Sequence, residues 1–108
     1  MPATQSVTIM LVEDDDGHRL LIRENLRAGG VVNELIEMCD GQQALDYLTR
    51  RGQYQNRAKS PRPGLILLDI KMPKADGFEV LKAIKSDAEL RLIPVLMLTS
   101  TDDPLEVN

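Results

Sequence analysis

Aromatic residues are scarce in this sequence: Tyr47, Tyr54 and Phe78 are the full set, and there is no tryptophan. The core must therefore be mostly aliphatic. Cysteine is scarcer still. Cys39 stands alone, which excludes an internal disulfide and any multi-cysteine metal site and suits a reducing compartment. Cys39 itself is expected to pack in the core. Histidine is represented only by His18, so a histidine-built metal site is excluded and His18 reads as a rim residue of a helix. No apolar run reaches the length of a membrane span, and the first residues lack a basic segment followed by an apolar one. The expectation is a soluble, unexported, cytoplasmic protein with no membrane contact. Basic residues are scattered and the net charge is −4, which gives no electrostatic footprint for direct nucleic-acid binding.

What is present is aliphatic and well ordered along the chain. At 108 residues the sequence is one domain, 1–108, with ordinary hydrophobic content and no internal repeat. Leu65-Ile66-Leu67-Leu68 leads directly into Asp69, and a short continuous apolar run of this kind reads as a strand buried on both faces. Val7 to Val12 is a second strong strand signal, rich in β-branched residues. It stops at four consecutive acids, Glu13 to Asp16. Helical spacing follows at Leu21, Ile22 and Leu26, with Asp15 or Asp16 as cap and Gly29-Gly30 as stop. Asn33 to Cys39 predicts a weaker strand, and Ala44, Leu45 and Leu48 mark a short helix ending near Arg51.

Gly52 to Gly64 is a long polar connection, expected to be mobile or functional, and its cluster Arg50, Arg51, Arg57, Lys59 and Arg62 reads as a solvated face. Phe78, Val80, Leu81 and Ile84 predict a third helix, and Pro94 to Ser100 a fourth buried strand. Thr101-Asp102-Asp103-Pro104 is a helix-start signature. The alternation of strand and helix predicts an α/β fold, a doubly wound parallel sheet with helices on both faces.

Three of the predicted strands end in polar groups at one edge of that sheet: Glu13 and Asp14 after the first, Asp69 on the third, Thr99 and Ser100 after the fourth. In open α/β sheets this is the edge where ligands and chemistry collect. Neighbouring first and third strands would bring carboxylates together, and two like charges about 4 Å apart repel by roughly 4 kcal/mol at an effective dielectric near 20. Such a cluster raises one carboxyl pKa or recruits a cation. All-oxygen ligands suit a hard ion such as Mg²⁺. A divalent cation beside a carboxylate and a hydroxyl equips a site for phosphoryl transfer, with Asp69 as nucleophile and the Thr99 hydroxyl donating to a phosphate oxygen. The plainer alternative for Glu13 to Asp16 is a solvated acidic loop that only caps a helix.

Leu11-Val12-Glu13-Asp14, Leu67-Leu68-Asp69-Ile70-Lys71-Met72-Pro73, Asp76-Gly77 and Leu98-Thr99-Ser100 together resemble the receiver domain of two-component response regulators, from about residue 7 onward. The resemblance implies the flavodoxin-like receiver fold. It implies that Asp69 accepts a phosphoryl group from a sensor histidine kinase. It implies that Mg²⁺ is held by Glu13, Asp14, Asp69 and the backbone carbonyl of Lys71, and that Thr99 is the switch residue contacting phosphate. The Gly52 to Gly64 loop resembles single-domain regulators paired with bacterial phytochromes and related sensor kinases. Such a module is not an enzyme beyond its own phosphorylation and dephosphorylation. Its output would pass to a downstream protein or phosphotransfer protein.

One departure from the family pattern bears on activity. Family receivers have a fifth strand carrying a lysine, then a last helix, and this sequence stops at Asn108 before either. Lys71 and Lys74 are poorly placed to substitute. The expectation is a fragment of a longer regulator, or a homodimer that covers the exposed fourth-strand edge. Two other functional readings stay open. One is a phosphorylation-silent interaction or dimerisation domain. The other is a haloacid-dehalogenase-like phosphohydrolase, disfavoured because Lys71 stands where those enzymes place a second acid.

Overall fold

Aliphatic runs form the strands and amphipathic stretches form the helices, in the predicted alternation. The computed structural model describes residues 7–56, 60–69 and 77–98. Strands β1 (Ile9–Val12), β2 (Leu35–Met38), β3 (Leu65–Asp69) and β4 (Val95–Leu98) pair in parallel in the order β2-β1-β3-β4. Helices α1 (Asp16–Ala28), α2 (Gly41–Leu48) and α3 (Gly77–Lys85) occupy the connections. This is the doubly wound α/β architecture expected from the sequence.

Side chains alternate across a strand, so the register assigns each strand residue to a face. Met10, Val12, Met38, Ile66 and Leu68 point to one side, where they pack with Ala44, Tyr47 and Leu48 of α2 and Val80 and Ile84 of α3. Ile9, Leu11 and Leu67 point to the other side and meet Ile22 and Leu26 of α1. The core is aliphatic, with Tyr47 as its one buried ring among the described residues. Burial of each such aliphatic side chain stabilises the fold by about 1.5–3 kcal/mol.

Local chemistry sets the helix ends. The Asp15 carboxylate accepts from the His18 backbone N–H at 2.8 Å, and that of Asp40 accepts from Gln43 at 2.8 Å, so both helices start on an aspartate cap. At the other end of α1, the Gly30 N–H donates to the Arg27 carbonyl and the Val31 N–H to that of Leu26, with Gly30 at φ 94°. The end of α2 repeats these bonds, Arg50 to Tyr47 and Arg51 to Asp46, but here Arg50 occupies the left-handed position at φ 56°. Both are Schellman closures, which favour glycine at that position.

Two expectations need correction. Cys39 is exposed and not in the core. It follows buried Met38, so alternation turns it away from the α2–α3 side, and its backbone N–H is taken by Gln43 Oε1 at 2.6 Å. Phe78 lies on α3 as its spacing predicts, and it is 62% exposed because the buried positions Gly77, Val80 and Ile84 define a face that excludes it. The Arg50–Arg62 group is not uniformly solvated: Arg50 Nε and Arg62 Nη1 are buried, and Arg62 pairs with Glu89 at 3.2 Å. The described part of the long connection is anchored. It begins with a single 3₁₀ turn, Gly52–Tyr54, packs the Tyr54 ring against Tyr47 in a tilted pair with centroids 5.1 Å apart, and receives a 2.7 Å hydrogen bond from Tyr47 Oη at the Pro61 carbonyl. The helix-start signature Thr101–Pro104 lies outside the described residues.

Candidate functional site

Strand order changes direction between β1 and β3. From β1 the chain crosses through α1 to β2 on one side, whereas β3 lies on the other. The two connections leave a crevice at the carboxyl ends of these strands, where open α/β sheets place their sites. The register aligns Val12 with Leu68, so the residues that follow, Glu13 and Asp69, come out side by side. Asp14 is next along the same loop. Glu13, Asp14 and Asp69 each offer a carboxylate oxygen, and these oxygens lie within 4.8 Å of one another.

The three carboxylates differ in exposure: Glu13 is buried, Asp69 half-buried and Asp14 exposed. Burial pushes the Glu13 carboxyl up to about 7, with contributions from the Asp69 charge and from hydrogen bonding to Asp69 and Asp14. The Asp15 backbone N–H, 3.2 Å from Glu13 Oε2, offsets part of this. His18 Nδ1 stands 3.7 Å from Glu13 Oε1 on the exposed rim, as its sequence position predicts. Asp15 is held below the ordinary carboxylate range by the His18 backbone N–H, so it caps α1 and stands apart from the cluster.

Of the residues singled out in the sequence, Glu13, Asp14 and Asp69 are brought together. Lys71 and Thr99 lie outside the described residues. The donor set is oxygen only and rich in negative charge, which fits a hard divalent cation and does not fit a soft one. Chemically, the arrangement offers a half-exposed carboxylate nucleophile beside two acids able to hold such a cation.

Sequence reasoning missed a second layer beneath the acidic loop. Arg19, one turn into α1, donates from Nη1 to the Glu13 carbonyl at 2.8 Å, pairs with Asp16, and places Nε 3.3 Å from Glu37 Oε1 on β2. Glu37 is also bonded by Arg23 Nη1 at 2.7 Å. A clue existed in the spacing, since Arg19 and Arg23 are four apart on α1 and face a strand that carries one acid.

The family model of the response regulator receiver domain matches residues 9–108. Response regulator Rcp1 from Synechocystis sp. is 43% identical over 99 residues, covering 92% of this chain and 65% of that protein. Among solved structures, the phosphorylated cyanobacterial phytochrome response regulator RcpA superposes with a TM-score of 0.80 at 41% identity, over 94% of this chain and 71% of that one. The Mn²⁺-bound form of Rcp1 superposes with a TM-score of 0.79 at 42% identity, over 94% and 70% respectively. The chain spans 65–66% of the length of the curated relatives it matches.

Proposed function

This chain belongs to the response regulator receiver domain family, and from that membership we propose that Asp69 is its phosphoacceptor and that a sensor histidine kinase is the donor. The observation that carries the reading is the convergence of Glu13, Asp14 and Asp69 within 4.8 Å at the carboxyl ends of β1 and β3. In the reaction, an Asp69 carboxylate oxygen attacks the phosphorus of a phosphohistidine. The P–O bond forms as the P–N bond breaks. The imidazole leaves with that electron pair, takes a proton from solvent, and an acyl phosphate remains on Asp69.

Glu13, Asp14 and Asp69 would hold Mg²⁺, with the Lys71 carbonyl as a further ligand. When bound, the cation supplies charge neutralisation on the phosphoryl oxygens. Asp69 is only half-buried, which suits access by a partner's histidine. The Thr99 hydroxyl is assigned the phosphate contact. Two solved relatives support these finer assignments by likeness: one is a phosphorylated phytochrome response regulator and another a Mn²⁺-bound regulator. A phytochrome-type kinase is therefore the favoured partner class, with output through protein contacts.

Incubation with acetyl phosphate and Mg²⁺, followed by intact mass, tests the proposal. An adduct of about 80 Da that disappears in Asp69→Asn supports it. Absence of any adduct points to a phosphorylation-silent interaction domain, and turnover of phosphate esters points to a phosphohydrolase.

A further inference from the structure

We infer that Arg19 is a positioning residue for the carboxylate cluster: it fixes the backbone at Glu13, so that Glu13 and Asp14 already face Asp69 before a cation arrives. The inference rests on the cation reading above and adds a residue to it.

The peptide units around Glu13 are held from both sides. The Glu13 N–H donates to the Met38 carbonyl of β2 at 3.1 Å, and the Glu13 carbonyl accepts from Arg19 Nη1 at 2.8 Å. That carbonyl belongs to the planar Glu13–Asp14 peptide, so orienting it also orients the bond that leads to Asp14. Arg19 is itself immobilised. Its side chain is only 14% exposed, Nε faces Glu37 at 3.3 Å, and the second terminal nitrogen pairs with Asp16. Glu37 in turn is held by Arg23 Nη1 at 2.7 Å. A fork of guanidinium donors can satisfy a carbonyl and two carboxylates at once, which an ammonium group on a flexible stem cannot do in the same geometry.

A restraint is needed because the cluster opposes its own assembly. Three carboxylates within 4.8 Å repel, and the acidic loop would relieve that repulsion by turning Asp14 outward to solvent, where it is already exposed. Arg19 does not reach the carboxylate oxygens that would bind the ion. It acts through the main chain, in the way outer partners hold metal ligands elsewhere.

The sign of one measurement separates this role from plain electrostatics. Arg19 carries positive charge close to a cation site, so if charge alone mattered, Arg19→Met would tighten cation binding. If Arg19 positions the loop, Arg19→Met weakens Mn²⁺ binding by about 10-fold, the usual size of an outer-partner loss. Arg19→Lys keeps the charge without the fork and should still bind more weakly than wild type. Arg27→Gln removes a positive charge from the far end of α1, where Arg27 donates to the Val31 and Asn33 carbonyls, and serves as control. Mn²⁺ titration by EPR reads all four proteins, with thermal melting reported alongside so that a stability loss is not mistaken for an affinity loss. Equal or tighter binding by Arg19→Met overturns the inference. Should wild type bind no Mn²⁺, the cation reading fails on its own. Amide exchange at Asp14 and Asp15 in metal-free protein then decides about Arg19: faster exchange in Arg19→Met supports the restraint, and unchanged exchange refutes it.

Discussion

Replacing Glu13 by glutamine should stabilise the metal-free protein at alkaline pH while weakening it in the presence of Mg²⁺. Glu13 is buried beside two other carboxylates, and its carboxyl is raised from 4.5 to about 7. The folded state therefore holds this proton more tightly than the unfolded chain. The resulting stability is fully present below pH 4.5 and is lost as the pH rises through about 7. A shift of this size corresponds to at most about 3–4 kcal/mol, at 1.36 kcal/mol for each pKa unit. Asp14 is exposed, so water reaches the cluster and screens part of the repulsion; about 2 kcal/mol is the expected penalty.

Glutamine keeps the shape and an oxygen acceptor for the Asp15 N–H, now 3.2 Å from Glu13 Oε2, but carries no charge. In EDTA near pH 8, Glu13→Gln should melt about 10 °C above wild type, and the gap should close toward pH 4.5, where Glu13 is neutral in the fold. At the proposed cation site, saturating Mg²⁺ should reverse the order, because wild type would gain about 2.7 kcal/mol at a hundredfold excess over Kd and the variant would lack one of the three carboxylates. Circular dichroism melts across pH, with and without the cation, give the full comparison. A pH-independent difference in EDTA, or a variant less stable than wild type at pH 8, would refute the reasoning.

Three further outcomes concern the scaffold. Arg50→Gly should raise stability by about 1 kcal/mol in urea melts, since it relieves a non-glycine residue at φ 56° and removes a buried Nε that lacks a partner. Tyr47→Phe should cost about 1 kcal/mol by deleting the 2.7 Å bond to the Pro61 carbonyl, and limited proteolysis should then cut faster within 52–64. Leu68→Ala empties a fully buried position between β3 and the α2–α3 layer and should cost about 2–5 kcal/mol by chemical denaturation.

Much of the site was legible because its parts are local. Leu65 to Asp69 announces a buried strand with a carboxylate at its end, and Val7 to Val12 does the same before Glu13 and Asp14. Once two such strands are parallel neighbours, their ends must meet. Arg19 was illegible because its role depends on Glu37, which β2 brings alongside β1 only in the folded sheet. Cys39 misled because a lone cysteine is more often buried, and one residue of strand phase placed it outside. The connection at 52–64 looked loose by composition. The Tyr47 hydroxyl and the Arg62–Glu89 pair that fasten its described part join residues far apart in sequence.

The pairing of β1 with β3 also fixes when the site comes into being. Glu13 and Asp69 are 56 residues apart (69 − 13), and closing a loop of that length costs roughly 3–4 kcal/mol of chain entropy. The carboxylates cannot repel one another until that closure is complete, because β1 and β3 must be in register before their ends meet. Electrostatic strain in the cluster therefore arises only with β1–β3 closure, and if that closure follows the rate-limiting step the strain bears on unfolding alone. Neutralising Glu13 should leave the refolding rate nearly unchanged and slow unfolding instead. A refolding rate that changes in Glu13→Gln would instead place β1–β3 closure at or before the transition state.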